Sequence, residues 1–322
     1  VLGLSLVAFA VAEVALFGTS TTNADAAYLL LLAGTGSAGV GFGLSAAPLN
    51  TLPGLLFPAR KETALVALHT FLGAGFATGP ILIGRFVARG QWAVAPLVLG
   101  VGALASLTLV IVCRLPSRTT TSVRGAASRV RVQELVPFFF IAVLYAFAEG
   151  TFANWSTVFL HEERGVGEAE AGLALACFWA ALAVGRLVVS ALLIRIPSRR
   201  VWLGLPLVMA VAAVVIPLSH GAVSGIIAFC IAGFGCSAFF PLTVHSAVAT
   251  DPPRGEWISS AMTAALMLGV GLGSFTVGPL RSVCSIGQIY LLSALYPLSA
   301  LALAFCAPTS GAPSHGSAQP AP

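Results

Sequence analysis

Ten apolar runs, each about long enough to cross a bilayer, leave this chain few ways to fold. They cover 1–18, 26–57, 62–88, 91–114, 136–160, 167–195, 201–219, 222–250, 256–280 and 286–306. A spanning helix needs about 20 mostly apolar residues. Only 8% of the residues are charged and 58% are hydrophobic, whereas soluble domains carry about 25% charged residues. So few charges could not cover the surface of a soluble protein of this size. The expected class is an all-α polytopic membrane protein with ten transmembrane helices. The first run is one among many and needs no reading as a cleaved leader. The second is too long for one straight span, so its end around 53–58 is expected in the interface.

The basic residues set the expected orientation. One set of helix ends holds Arg60, Lys61, Arg114, Arg118, Arg124, Arg129, Arg131, Arg195, Arg199, Arg200 and Arg254. The opposite ends hold Arg85, Arg89, Arg164 and Arg281. The richer side is expected in the cytoplasm, and an even number of spans returns both termini there. The acidic group Glu162, Glu163, Glu168 and Glu170 then faces outside. This distribution makes the net charge of +5 a topology signal, not a nucleic-acid surface. The expected division is an incomplete N-terminal bundle of four helices at 1–114 and a cytoplasmic linker at 115–135. A six-helix bundle at 136–306 and a disordered cytoplasmic tail at 307–322 complete it.

One stretch occurs twice. Gly41–Glu62 reads GFGLSAAPLNTLPGLLFPARKE, and Gly233–Glu256 reads GFGCSAFFPLTVHSAVATDPPRGE. Gly41, Gly43, Ser45 and Ala46 match Gly233, Gly235, Ser237 and Ala238 at an offset of 192. Pro48-Leu49 matches Pro241-Leu242 at 193, and Arg60 and Glu62 match Arg254 and Glu256 at 194. Such a run of matches reads as duplication of a large unit. The copies lie on the second and eighth runs, six helices apart, so they share one orientation. Parallel six-helix repeats follow, and five-plus-five inverted repeats are excluded. The second unit is complete and the first holds four helices. Two helices are therefore expected upstream, and the initial Val1 in place of Met agrees with a fragment or a mis-assigned start; a genuine ten-helix protein is the alternative.

With this plan the chain resembles the major facilitator superfamily, whose halves are six parallel helices joined by a basic cytoplasmic loop. Local strings resemble its fucose-permease-like branch of sugar–proton symporters. They are Gly39-x-Gly41-x-Gly43 with Asn50, His69-Thr70-Phe71 with Gly73-x-Gly75 and Gly79-Pro80, Glu149 with Asn154-Trp155, and Phe178-Trp179 with Gly185-Arg186-Leu187. The resemblance makes the ten runs the third to twelfth helices of a six-plus-six fold. Two features depart from it. Where the superfamily's loop signature should recur, the chain reads Ile194-Arg195-Ile196-Pro197-Ser198-Arg199, without the acid and the glycine. Near the Gly-x-Gly of the second run, Ser45, Ala46 and Ala47 stand where an acid is common.

Glu149 is the residue most in need of explanation. A carboxylate at bilayer depth costs about 2.5–3.5 kcal/mol on insertion scales, so it faces a cavity or a partner. There it can take up and release a proton. Asn154 and Trp155 follow it, and an amide and a ring beside a carboxyl suit a polar organic solute. Arg186, the basic residue well inside a run, either pairs with Glu149, contacts substrate or extends toward the interface. Glu13 is expected at the interface. His69 is either a proton carrier or a packing histidine, and His245 is read the same way. The resemblance implies a central path lined by runs two, five and eight, which gives Asn50, Glu149, Asn154, Trp155, Ser237 and Thr243 as substrate-binding candidates. Glu149, Arg186 and His69 are the proton-coupling candidates. Gly75-x-x-x-Gly79-Pro80, echoed by Gly273 and Gly278-Pro279, reads as close helix packing with a bend. A Gly-Pro string in the superfamily's fifth helix is also associated with antiporters.

The six cysteines are scattered without a C-x-x-C pair and read as buried apolar residues. No metal or cofactor is expected, and no cluster of catalytic residues suggests an enzyme. The expected function is a secondary active transporter in the plasma or inner membrane. It would move a small polar solute, such as a sugar, by alternating access with protons. The alternatives are a drug or metabolite efflux antiporter, and a non-transporting fragment.

Overall fold

A computed structural model describes residues 1–113 and 132–307, except the side chains at 46, 47, 50, 51, 54, 60–63, 65, 66, 69, 70, 132 and 256. Most of the expected linker and nearly all of the expected tail lie outside the described residues. The regular structure described is entirely helical. The chain divides into two units, Val1–Ala127 and Ser128–Pro322.

The first unit holds α1 (Leu2–Gly18), α2 (Ala24–Leu56), α3 (Lys61–Val87) and α4 (Val94–Val112). Asn23 starts α2, its side chain accepting the Ala26 N–H at 2.9 Å, which satisfies one of the free amides of the first turn. α2 is 33 residues long, or about 50 Å. Its apolar spanning part is Ala24–Ser45, and the remainder carries Pro48 and Pro53. α1 packs against α2 and α4. A Cβ at Gly34 would stand 3.2 Å from the Ala12 carbonyl, and one at Gly41 would stand 3.1 Å from that of Ser5. The Ser37 hydroxyl donates to the Ala8 carbonyl at 2.7 Å across the same seam.

The second unit begins with α5 (Val132–Asn154), four residues before the expected 136. A single turn, α6 (Ser156–Val158), and a π-helical turn, Phe159–Glu163, extend it. There follow α7 (Glu168–Leu192), α8 (Ser198–Val215), α9 (Ala222–Cys236), α10 (Phe239–Val248), α11 (Gly255–Leu280), α12 (Ile286–Ser293) and α13 (Leu295–Cys306). α5 packs against α11 and α13, while α7 and α8 flank α9. Aromatic rings hold the core together. Tyr290 of α12 is fully buried and meets Phe152, Phe159 and Phe229, which come from α5, the π-turn and α9.

Eight helical stretches among the described residues are long and apolar enough to cross a membrane. They are Ala24–Ser45, Val94–Val112, Gln133–Asn154, Glu168–Leu192, Ser198–Leu218, Ala222–Val248, Trp257–Leu280 and Ile286–Cys306. Leu2–Gly18 and Phe71–Val87 are shorter apolar helices. The ten expected runs thus correspond to eight full-length stretches and two short ones.

Glycine sets the tightest contacts, at positions the sequence only partly marks. A Cβ at Gly233 would lie 2.1 Å from the Phe178 carbonyl of α7, and one at Gly235 would lie 2.9 Å from the Met209 nitrogen of α8. The second copy of the repeat is therefore wedged between two backbones. Gly269 and Gly273 seat α11 on α5, where a Cβ at either would come within 2.7 Å of Val143 O or Phe147 Cα. By contrast, no described atom lies within 4 Å of a Cβ placed at Gly75, Gly79 or Gly278. Close packing expected at the Gly-Pro strings is met only at Gly273, because the other glycines point away from their neighbours within each unit.

The two copies also differ in continuity. α2 runs unbroken through Ala46–Pro48, whereas α9 stops at Cys236 and α10 starts at Phe239. The second copy has one residue more between its Ala and its Pro. One added residue turns a helix by about 100°, and a break at Ala238 (φ −114°, ψ 1°) absorbs it. Replacing Gly233 with Val should lower the thermal stability of detergent-solubilised protein by about 1–3 kcal/mol or more through overpacking. Gly43→Ala, with no described atom within 4 Å of its Cβ, should leave the melting temperature unchanged or slightly raised.

Candidate functional site

The break between α9 and α10 strips partners from backbone carbonyls in a stretch with the makings of a membrane span. Pro241 has no N–H, so the Ser237 carbonyl four residues earlier loses its helical donor. Arg186 of α7 supplies one, its Nε–H donating at 3.1 Å. The neighbouring Cys236 carbonyl accepts the Tyr145 O–H of α5 at 3.0 Å. Within hydrocarbon such groups have no water to turn to, so the two donors hold the break in place. The approach of α7 depends on glycine, since a Cβ at Gly185 would stand 2.6 Å from that of Ser237. The Tyr145 ring is buried against Phe239 and Phe240, at 5.8 and 5.9 Å between centroids.

Glu149 follows Tyr145 by one helical turn, so the two side chains share a face of α5. It is half-buried and lies beside the phenol, facing Arg186 and Cys236. The helical run continues through α6 to Glu163. Glu149 therefore sits about 24 Å from Gln133 and about 21 Å from Glu163 along it. Carboxyl, phenol, guanidinium and two interrupted-helix carbonyls form one cluster. Sequence reading missed Tyr145, because an aromatic residue on an apolar helix looks like packing. The available signal was its spacing of four from Glu149.

The other expected residues are placed less directly. Asn154 is exposed and half-buried Trp155 adjoins it. The Asn154 amide donates to the Ser274 hydroxyl of α11, and Trp155 Nε1–H donates to the Ser274 carbonyl at 3.1 Å. Thr243 is buried and accepts from Trp202 Nε1–H at 2.9 Å while donating to the Phe239 carbonyl. Ser237 is buried with its hydroxyl unpartnered. The side chains of Asn50 and His69 lie outside the described residues. Glu13 faces α4, where a Cβ at Gly100 would lie 3.3 Å from its own. An open cleft of about 480 Å³ runs along the α7–α8 connection, lined by residues 193–198, Leu242 and His245. None of the expected binding residues lines it.

Part of the acidic group does structural work at the far end of α5. Glu163 accepts the Ile286 and Gly287 N–H groups and so caps α12. Glu162 pairs with Arg281, whose guanidinium also lies 5.5 Å from the Trp155 ring centre. Arg164 donates to the Pro217 carbonyl at 2.6 Å and lies over Phe159 at 4.7 Å. Among the described residues, no group of three or more His, Cys, Asp or Glu could hold a metal ion.

Residues 1–278 match the family description "Major Facilitator Superfamily". The chain belongs to that superfamily. Its members are transporters, a non-enzymatic class. A curated relative, an uncharacterized MFS-type transporter of Yersinia pestis, is 28% identical over 165 residues. That match covers 51% of this chain and 41% of the relative, so the chain matches about two fifths of that protein's length. Among solved structures, a bacterial homologue of the human lysosomal transporter Spinster, inward-facing and occupied, superposes with a TM-score of 0.70 at 14% identity. The superposition covers 94% of this chain and 81% of that one. A variant of the E. coli fucose:proton symporter FucP gives 0.60 at 15% identity, covering 96% and 83%. At such identities these likenesses establish the fold.

In this superfamily member the Thr243 hydroxyl is committed to Trp202. Thr243→Val should therefore cost about 1–3 kcal/mol of stability by leaving the buried indole N–H unpaired. Solute KM should be unchanged. A raised KM with an unaltered melting temperature would instead put Thr243 on the transport path.

Proposed function

We propose that the protein is a secondary active transporter that carries a small polar solute, a sugar by class, together with protons. It works by alternating access. The observation that carries this reading is Glu149, an ionisable side chain far from either end of an apolar helical run. Such residues are costly in a bilayer and mark ion or substrate pathways. Its neighbours Tyr145 and Arg186 supply a donor and a counter-charge. The fold shared with a fucose:proton symporter supports sugar as the solute class.

Glu149 is the proton carrier, with Arg186 as its electrostatic partner and His69 as a second titrating group. Asn154 meets the solute with the part of its amide left free by its bond to Ser274, and Trp155 and Asn50 are further solute contacts. Ser237 and Thr243 serve the site through the shape of the α9–α10 break. The basic helix ends lie in the cytoplasm of a cell membrane, with both termini there.

Uptake of a panel of labelled sugars into proteoliposomes, with and without a proton gradient, tests the proposal. One sugar should accumulate only when the outside is acidic. Glu149→Gln should abolish accumulation while leaving exchange of the same sugar without a gradient. No uptake of any sugar, or gradient-driven uptake that survives Glu149→Gln, would sink the reading. Expulsion of amphipathic drugs in exchange for protons would replace it with the antiporter alternative.

A further inference from the structure

The α9–α10 break and Glu149 compete for the same donors. Tyr145 has one phenolic proton and two acceptors beside it, the Cys236 carbonyl, which it bonds at 3.0 Å, and the Glu149 carboxyl. Arg186 likewise holds the Ser237 carbonyl at 3.1 Å and faces Glu149. A hydrogen bond to a carboxylate is roughly twice as strong as one between neutral groups. The protonation state of Glu149 therefore decides where the phenol proton goes and how hard the guanidinium, which has N–H groups to spare, is pulled from Ser237.

We propose that Tyr145 is a positioning residue through which Glu149 sets the angle of the α9–α10 break. This rests on the reading of Glu149 as the proton carrier. With Glu149 protonated, its own O–H donates to the Tyr145 oxygen. The phenol proton then stays on the Cys236 carbonyl, and Arg186 stays on Ser237. Both carbonyls are capped and the break is held as described. Loss of the proton leaves a carboxylate that accepts the phenol O–H and draws the guanidinium. The Cys236 carbonyl loses its donor and the hold on the Ser237 carbonyl is weakened; both residues are buried, where an unpaired polar group is costly. α10 must then turn on Ala238 until other donors reach them.

The titratable and charged groups facing Glu149 are few. They are Tyr145 on its own helix, Arg186 on α7 and Cys236 on α9. Tyr296 of α13 meets Phe147 edge-on, with its hydroxyl beside Thr276. The signal at the break is thus carried mainly by the phenol and the guanidinium. Tyr145 is the better handle, because Phe keeps the ring contacts with Phe239 and Phe240 and removes only the donor.

Spin labels at Val223 of α9 and His245 of α10, both exposed, would report the angle across the break. They would be placed in full-length protein whose native cysteines have been replaced. The distance between them should shift between acidic and mildly alkaline buffer. In Tyr145→Phe the shift should be lost or strongly reduced, with the melting temperature lowered because the buried Cys236 carbonyl is left without its donor. In Glu149→Gln the distance should stay at its acidic value throughout, and this variant tests the same link should Tyr145→Phe fail to fold. A wild-type distance indifferent to pH, or a full shift in either variant, would overturn the inference. Failure of the transport reading looks different: no sugar accumulates, yet the pH-dependent distance and its loss in the variants remain.

Discussion

A carbonyl without a donor has nowhere to turn inside a bilayer, and the second unit is arranged around that difficulty. The stretch Ala222–Val248 is not one straight helix: Pro241 withholds an N–H, and one residue more than in the first copy shifts the faces beyond it. Interrupting the helix solves the packing problem and creates an electrostatic one. Gly185 and Gly233 bring α7 close enough for Arg186 to reach one exposed carbonyl, while Tyr145 reaches the other from α5. Close packing and polar satisfaction are therefore the same event here. Arg186 could not reach the break if bulkier residues held α7 away from it.

The class of the fold was readable because apolar runs interrupted by arginine-rich loops have few soluble interpretations. Glu149 was readable for a related reason: a lone acid in an apolar run stands out. Its surroundings were less so. Asn154 and Trp155 lie five and six residues further on, which rotates them about 140° and 240° around the helix. They meet α11 instead of joining the carboxyl. The neighbour of Thr243 was hidden as well, since polarity alone does not reveal which residue a helical hydroxyl faces. Trp202, 41 residues away in sequence, was not a visible partner.

The repeat shows the same limit more sharply. Its offset changes from 192 to 193 just after the shared Ser-Ala, and that insertion was present in the letters. Its consequence was not, because Pro48 sits within an unbroken α2 while Pro241 lies just past a break. What differs is the surroundings. Both glycines of the second copy are occupied by neighbouring backbone, whereas Gly43 of the first has no described atom nearby. A helix clasped on two sides cannot rotate as a whole to absorb an inserted residue, so it gives way locally.

The π-turn at Phe159–Glu163 fastens the far edge of the same unit. One carboxylate takes the leading amides of α12, its neighbour pairs with the guanidinium that ends α11, and Arg164 reaches back to Pro217. Two connections, α8–α9 and α11–α12, are thereby stitched to the extension of α5. A stiff hem of this kind leaves the bundle little freedom at that margin, so whatever bending it undergoes is concentrated toward the opposite end.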